Sequence, residues 1–205
     1  MNIRQAKQAD AKELAALVYS SAPLVIAAVF TINEELSAKN FIESCLLDAE
    51  GQYGYNNHWV AEVDNRVVGC ISAWHSALPN SFHQATLNKL AEFYGVAHTL
   101  AVLQASQTLQ DCIPKPQDHE WCIGHFAVSA TYQKIGVGTA LLKFMHEKAL
   151  NFGKYELCLD VESINTRAIN FYLNHGFQKN GESGVSLRMK TLGLGEYFHL
   201  SKQLI

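Results

Sequence analysis

A chain of 205 residues with 48% hydrophobic and 17% charged side chains can bury one ordinary core, and its length favours one domain over two. Sixteen Lys plus Arg against nineteen Asp plus Glu leave a net charge of −3 with no basic cluster, which argues against a nucleic-acid or anionic-membrane surface. Five widely spaced cysteines (Cys45, Cys70, Cys112, Cys122, Cys158) without a C-x-x-C pair, and nine scattered histidines without H-E-x-x-H, argue against a metal site and fit reduced thiols in a cytoplasmic protein.

Asn2 to Ala6 reads as a short edge strand, and Asp10 as the N-cap of a helix with Leu14, Leu17 and Val18 on one face, ended by Pro23. No charge occurs between Glu13 and Glu34, and Leu24 to Phe30 is apolar. A membrane span needs about 20 mostly apolar residues. Ser20, Ser21, Pro23 and Thr31 interrupt this stretch, so it reads as a helix end and a buried loop, not an anchor or a signal. A second helix is expected over Asn33 to Leu47, with Leu36, Phe41, Ile42 and Cys45 inward.

His58 to Val63 and Val67 to Trp74 are β-rich runs around Asp64-Asn65, residues that tolerate the positive φ of a tight hairpin turn. Pro79 to Pro116 encloses a mostly helical insert, read as a lid, a dimerisation element or a helical pair packed on the domain. Glu120 to Val128 is the central strand. Strict alternation sets Glu120, Cys122 and Gly124 on one face and Trp121, Ile123 and His125 on the other. A helix over Gly136 to Phe152, a strand over Tyr155 to Val161, a helix over Asn165 to His175 and a strand from Gly176-Phe177 follow. The tail, Val185 to Met189 and Tyr197 to Leu204, reads as two closing antiparallel strands.

Strand, glycine loop and helix meet at Gln133-Lys134-Ile135-Gly136-Val137-Gly138. Gly136 and Gly138 let backbone N–H groups approach an anion, and the helix beginning there adds unpaired amides and the positive end of its dipole. The pattern is neither G-x-x-x-x-G-K-[ST] nor G-x-G-x-x-G. It is Q-x-x-G-x-G after Phe126-Ala127-Val128, followed by Asn165-x-x-Ala168-x-x-Phe171-Tyr172-x-x-x-Gly176-Phe177. The combination resembles the GNAT superfamily, the acyl-coenzyme A dependent N-acetyltransferases, directly over Glu120 to Gln178 and more loosely at the first strand and helix and the hairpin.

The resemblance implies a mixed α/β fold: a central, mostly antiparallel sheet with one splayed parallel pair, flanked by helices, in a single domain carrying the insert at about 79–117. It implies acetyl-CoA as co-substrate and direct transfer of its acetyl group to a primary amine, from a small molecule or a peptide or protein. Backbone groups of Phe126, Ala127 and Val128 would pair with the pantetheine arm as an added strand does. Gln133, Lys134, Ile135, Gly136, Val137, Gly138 and Thr139 would hold the pyrophosphate, and Asn165 would cap the next helix or contact coenzyme. Ile135 departs from the Lys, Arg or Gly frequent at its slot. Tyr172 stands where the family has its general acid. For the base, Glu120 acts through a water, or His125 does so if a bulge near Gly124 turns it inward; solvent deprotonation would need neither. Phe30 to Glu35 lies on the implied acceptor side. The rival is a coenzyme-binding regulatory module with no acceptor reaction.

Overall fold

The computed structural model describes residues 1–111 and 113–204; Cys112, counted above among the reduced thiols, lies outside them. β1 (Asn2–Gln5) is an edge strand, tied by Arg4 to Asp10 at 2.7 Å and to Glu62 at 2.6 Å. α1 (Ala11–Ser21) buries Leu14, Leu17 and Val18, as its apolar spacing requires.

Pro23 does end that helix, but Leu24 to Phe30 is not a loop. It is α2 (Pro23–Phe30), with Pro23 in the first turn, where its missing N–H leaves no bond unmade. Ala22, at φ −152° and ψ 65°, breaks the run, and the two helices bend by 103°. No single helix among the described residues is long and apolar enough to cross a membrane. α3 (Ala38–Cys45) is shorter than expected, because Ser37 accepts the Asn40 N–H and sets its start.

β2 (His58–Val63) and β3 (Arg66–Trp74) form the expected hairpin, with Asp64 and Asn65 at φ 50° and 59°. The insert is α4 (Asn80–Gln110), two helical arms broken at Gly95, whose φ of +67° is open to glycine at little cost. Its first arm is fastened over α2 and α3: the Tyr94 hydroxyl donates to the Phe30 carbonyl, Lys89 pairs with Asp48 at 2.8 Å, and the Phe93 and Tyr94 rings pack on Phe41.

β4 (Glu120–Val128) leads through the glycine loop to α5 (Val137–Asn151), then β5 (Glu156–Glu162), α6 (Thr166–Asn174) and β6 (Gln178–Glu182). The tail corrects one expectation. Val185 to Met189 is not a strand: Ser186 Oγ accepts the Met189 N–H at 3.1 Å and starts α7 (Leu187–Thr191), which buries Met189 completely. β7 (Tyr197–Gln203) closes the sheet.

The seven strands run β1-β2-β3-β4-β5-β7-β6, antiparallel except for β4 beside β5. One face carries Val60 and Cys70 against α1, α2 and α3, where Phe30, Phe41 and Tyr53 form an aromatic cluster. The other carries Ile71, Trp121, Ile123, Leu157 and Leu159 against Leu141 and Met145 of α5. The parallel pairing lasts only from Glu120↔Glu156 to Cys122↔Cys158.

At that last rung the expectation of reduced thiols fails for two cysteines. Cys122 and Cys158 form a disulfide, because the register sets them directly opposite with Cα atoms 4.6 Å apart. Cys45 and Cys70 are free thiols, each pushed up to about 12 by burial.

Candidate active site

Past Cys122 and Cys158, β4 and β5 no longer pair, so the edge of β4 that faces β5 loses its strand partner. Its other edge is occupied by β3 through Val128↔Gly69 and Ala127↔Cys70. Ser129 N–H donates to Val68 in β3 at 2.8 Å. Because a strand's backbone groups alternate in direction, Val128 and Phe126 turn theirs to the open side. The Val128 carbonyl is met there by Gln133 Nε2 at 2.9 Å. Gln133 thus spends its amide on the strand and braces the loop entry.

Gly136, at φ +93°, is the N-cap of α5, and among the described residues no side chain caps the helix. The first-turn N–H groups, from Val137 to Thr139, stay free to meet a negative group, and the helix dipole favours one. Lys134 also takes a positive φ, 65°, in turning the loop. Opposite, Asn165 Oδ1 accepts the Ala168 N–H at 3.1 Å and caps α6. The start of α5 is linked to the end of α6: His175 Nδ1–H donates to the Phe171 carbonyl at 2.7 Å, so its Nε2 accepts the Thr139 hydroxyl at 3.0 Å.

These elements enclose a cavity of about 960 Å³, at the upper end of small-molecule sites. Of the residues singled out in the sequence it is lined by Phe126, Ala127, Val128, Gln133, Lys134, Gly136, Gly138, Thr139, Asn165 and Tyr172. Ile135 is exposed and Val137 is buried in the core, so neither side chain lines it. Sequence reading missed Arg167 and His175 on the α6 side and Ser20 and Ser21 at the end of α1. Arg167 sits inside the Asn165 motif, whose spacing was read for capping and not for charge. With Lys134 it gives the cavity lining two cations, a donor set that fits a phosphate group.

Tyr172 is packed among Phe126, Phe171 and Phe177, with ring centroids 5.5–6.0 Å away. Among the described residues its hydroxyl makes no hydrogen bond. Burial raises its pKa above the usual phenol value, so it is a protonated donor at every physiological pH.

A bulge does fall beside His125, but it turns the ring toward Tyr53, Trp74 and His58 and not into the cavity lining. Register slips between Cys70 and Ser72, where β4 carries an extra residue, and His125 takes φ 41°. Its ring stacks on Tyr53 at 4.7 Å, meets Trp74 edge-on at 5.4 Å, and bonds through Nδ1 to His58 Nε2 at 3.0 Å. Burial, and then neighbouring His58, hold its pKa well below the ordinary imidazole value. Glu120 lies at the foot of β4, buried beside the disulfide, where its Oε2 accepts the Gln117 N–H at 2.7 Å. Neither Glu120 nor His125 lines the cavity, although His125 directly precedes Phe126, which does. Glu34 and Glu35 are exposed and away from the lining.

The family model described as acetyltransferase (GNAT) family matches residues 27–177. A curated relative, the probable N-acetyltransferase camello of Xenopus tropicalis, is 23% identical over 146 residues, 70% of this chain and 49% of its own. The chain therefore spans about half the length of that relative. Among solved structures, an N-acetyltransferase from Staphylococcus aureus Mu50 is 23% identical with a TM-score of 0.66, covering 98% of this chain and 100% of its own. An acetyltransferase from Salmonella typhimurium, solved with its cofactor acetyl-CoA, is 17% identical with a TM-score of 0.57, covering 100% of this chain and 94% of its own. At these identities the structures speak for the fold, and the family model, spanning the splayed strands, the glycine loop and the Tyr172 helix, goes further: the chain belongs to the acetyltransferase (GNAT) family.

Proposed function

We propose that this chain is an acetyltransferase that moves the acetyl group of acetyl-CoA directly to a primary amine, acting as one catalytic domain with α4 as its insert. The observation that carries the reading is the joining, in one cavity, of an open strand edge, an uncapped helix start and the Tyr172 phenol. The open groups of Phe126 and the N–H of Val128, whose carbonyl Gln133 already meets, would pair with the amides of the pantetheine arm, and the amides of Val137 to Thr139, with Lys134 and Arg167, would hold its pyrophosphate.

In the transfer, the amine nitrogen bonds to the thioester carbon, the C–S bond breaks, and the leaving thiolate takes the proton of the Tyr172 hydroxyl. His125, outside the lining but directly before Phe126, takes through an intervening water the proton the nitrogen sheds, and water returns it to the phenolate. The base falls to His125 and not Glu120 because His125 directly precedes Phe126, which lines the cavity, whereas Glu120 is held at the far end by Gln117. No cysteine is needed as nucleophile, and Cys122 is spent in the disulfide.

Calorimetric titration with acetyl-CoA, against ATP and NAD as controls, tests the cavity. Binding of acetyl-CoA alone, followed by amine-dependent thiol release across a panel of small amines and peptides, is the expected result. Binding without thiol release from any amine would favour a regulatory coenzyme-binding module, and failure to bind would overturn the reading.

A further inference from the structure

His58 is fully buried, sits at the start of β2 and was not singled out by any sequence motif. Its Nδ1 lies 2.9 Å from the Gly54 carbonyl, and its Nε2 lies 3.0 Å from His125 Nδ1. A carbonyl oxygen only accepts, so His58 Nδ1 must carry a proton. In the neutral ring the other nitrogen is then a lone pair, which accepts from His125 Nδ1–H. The chain of donors runs one way, from His125 through His58 to Gly54. It leaves the lone pair of neutral His125 on Nε2.

From this geometry we infer that His58 is the positioning residue of the site: it fixes His125 as the Nδ1–H tautomer and so presents Nε2 as the basic atom. The inference rests on the reading of His125 as base given above. His58 is not a proton exit, because the Gly54 carbonyl at the end of the chain cannot take a proton onward. Its part is to hold and polarise, as a carboxylate does behind many catalytic histidines, but without adding a charge.

The surroundings support a neutral arrangement. The titratable groups against His125 are Tyr53 from the loop before β2, His58 from β2 and Cys70 from β3, whose Sγ meets the His125 carbonyl at 3.1 Å. Burial keeps all three uncharged at neutral pH, pushing Tyr53 up, Cys70 up to about 12 and His58 down to about 4. With no charge among the described residues against it to select a tautomer, the hydrogen bond that His125 donates to His58 decides it. The two rings lie nearly parallel, 8° apart with centroids at 5.2 Å, so the bond lies close to the plane of both.

The test combines nitrogen-15 imidazole spectra with steady-state kinetics on the full chain. In the unaltered protein His125 should give the Nδ1–H pattern. His58→Phe should shift His125 to the Nε2–H pattern and lower kcat by about tenfold to a hundredfold, with KM for acetyl-CoA nearly unchanged. His58→Gln should recover most of that loss, because its amide N–H₂ can meet Gly54 while its carbonyl accepts from His125. An Nε2–H pattern in the unaltered protein overturns the inference whether or not either variant folds. So does full turnover in His58→Phe when His125→Gln is impaired. If His125→Gln turns over like the unaltered enzyme, it is the choice of His125 as base that fails, a different outcome from loss of the His58 role alone.

Discussion

Cutting the bond between Cys122 and Cys158 should weaken the fold by a predictable amount. The two residues are 36 apart in sequence, and both are buried at the last rung of β4 and β5. Treating the bond as a constraint on the unfolded chain, closing a loop of that length is worth about 4 kcal/mol at 25 °C. For a chain of this size each kcal/mol moves the thermal midpoint by about 2–4 °C, so reduction should lower it by roughly 8–15 °C. The assay is chemical and thermal denaturation followed by circular dichroism, with and without a phosphine reductant. Thiol labelling in denaturant is run alongside, and should find Cys122 and Cys158 blocked until reductant is added. Equal midpoints in the two conditions, or labelling of both cysteines before reduction, would refute the reasoning. Because Cys122 and Cys158 make the final paired rung, the loss should also appear as faster backbone exchange in the flanking residues of β5.

Tyr172→Phe keeps the ring among Phe126, Phe171 and Phe177 and removes only the proton donor. It should lower kcat by about a hundredfold or more, with calorimetric affinity for acetyl-CoA unchanged; unaltered turnover would take Tyr172 out of the acid role. Gly124→Ala would place a Cβ 2.1 Å from Trp74 Cη2, a rigid ring that already abuts His125, and should cost about 1–3 kcal/mol by denaturant titration. A wild-type midpoint there would mean the Trp74 ring yields freely. Arg4→Met leaves the Asp10 carboxylate buried without its two guanidinium bonds, and should cost about 2 kcal/mol at neutral pH. Burial pushes the Asp10 carboxyl up, but its bonds from Arg4 and from the Lys7 amide outweigh that and hold it below 3.8. A depressed carboxylate stabilises the fold above its unfolded pKa and loses that contribution as pH falls through the folded value. The acid-induced fall in stability below about pH 4 should therefore be shallower in Arg4→Met, and identical acid profiles would exclude the pair as its source.

Local chemistry carried most of the fold into the sequence. Asp64-Asn65 announces the β2–β3 hairpin because few other residues accept its backbone angles, and Gly136 announces the turn into α5 for the same reason. The helices that misled are short. Val185, Leu187 and Met189 alternate as a strand does, and only the bond that the Met189 N–H donates to Ser186 shows that one helical turn wins. The apolar run of α2 has no polar face to betray a period, because its exposed Leu24 is as apolar as the buried Val25, Ile26, Val29 and Phe30. The cavity lining was legible where a motif fixes backbone, from Phe126 to Thr139, and less so where it fixes charge, at Arg167. Long-range pairs left no local trace. Cys122 and Cys158 meet only because the strands register in parallel, and His58 finds His125 67 residues away only because β4 bulges at that point.

The seam between β4 and β5 divides the sheet mechanically. Four strands, β1 to β4, form one leaf and three, β5, β7 and β6, form the other, bound by a spine of three paired positions and one covalent link. Leaves joined at one end act as a wedge: a small change of angle at Cys122 and Cys158 becomes a larger change of gap at Val128. A volume change at the spine, well outside the cavity wall, would then alter how tightly the cleft grips a thin chain lying between the leaves.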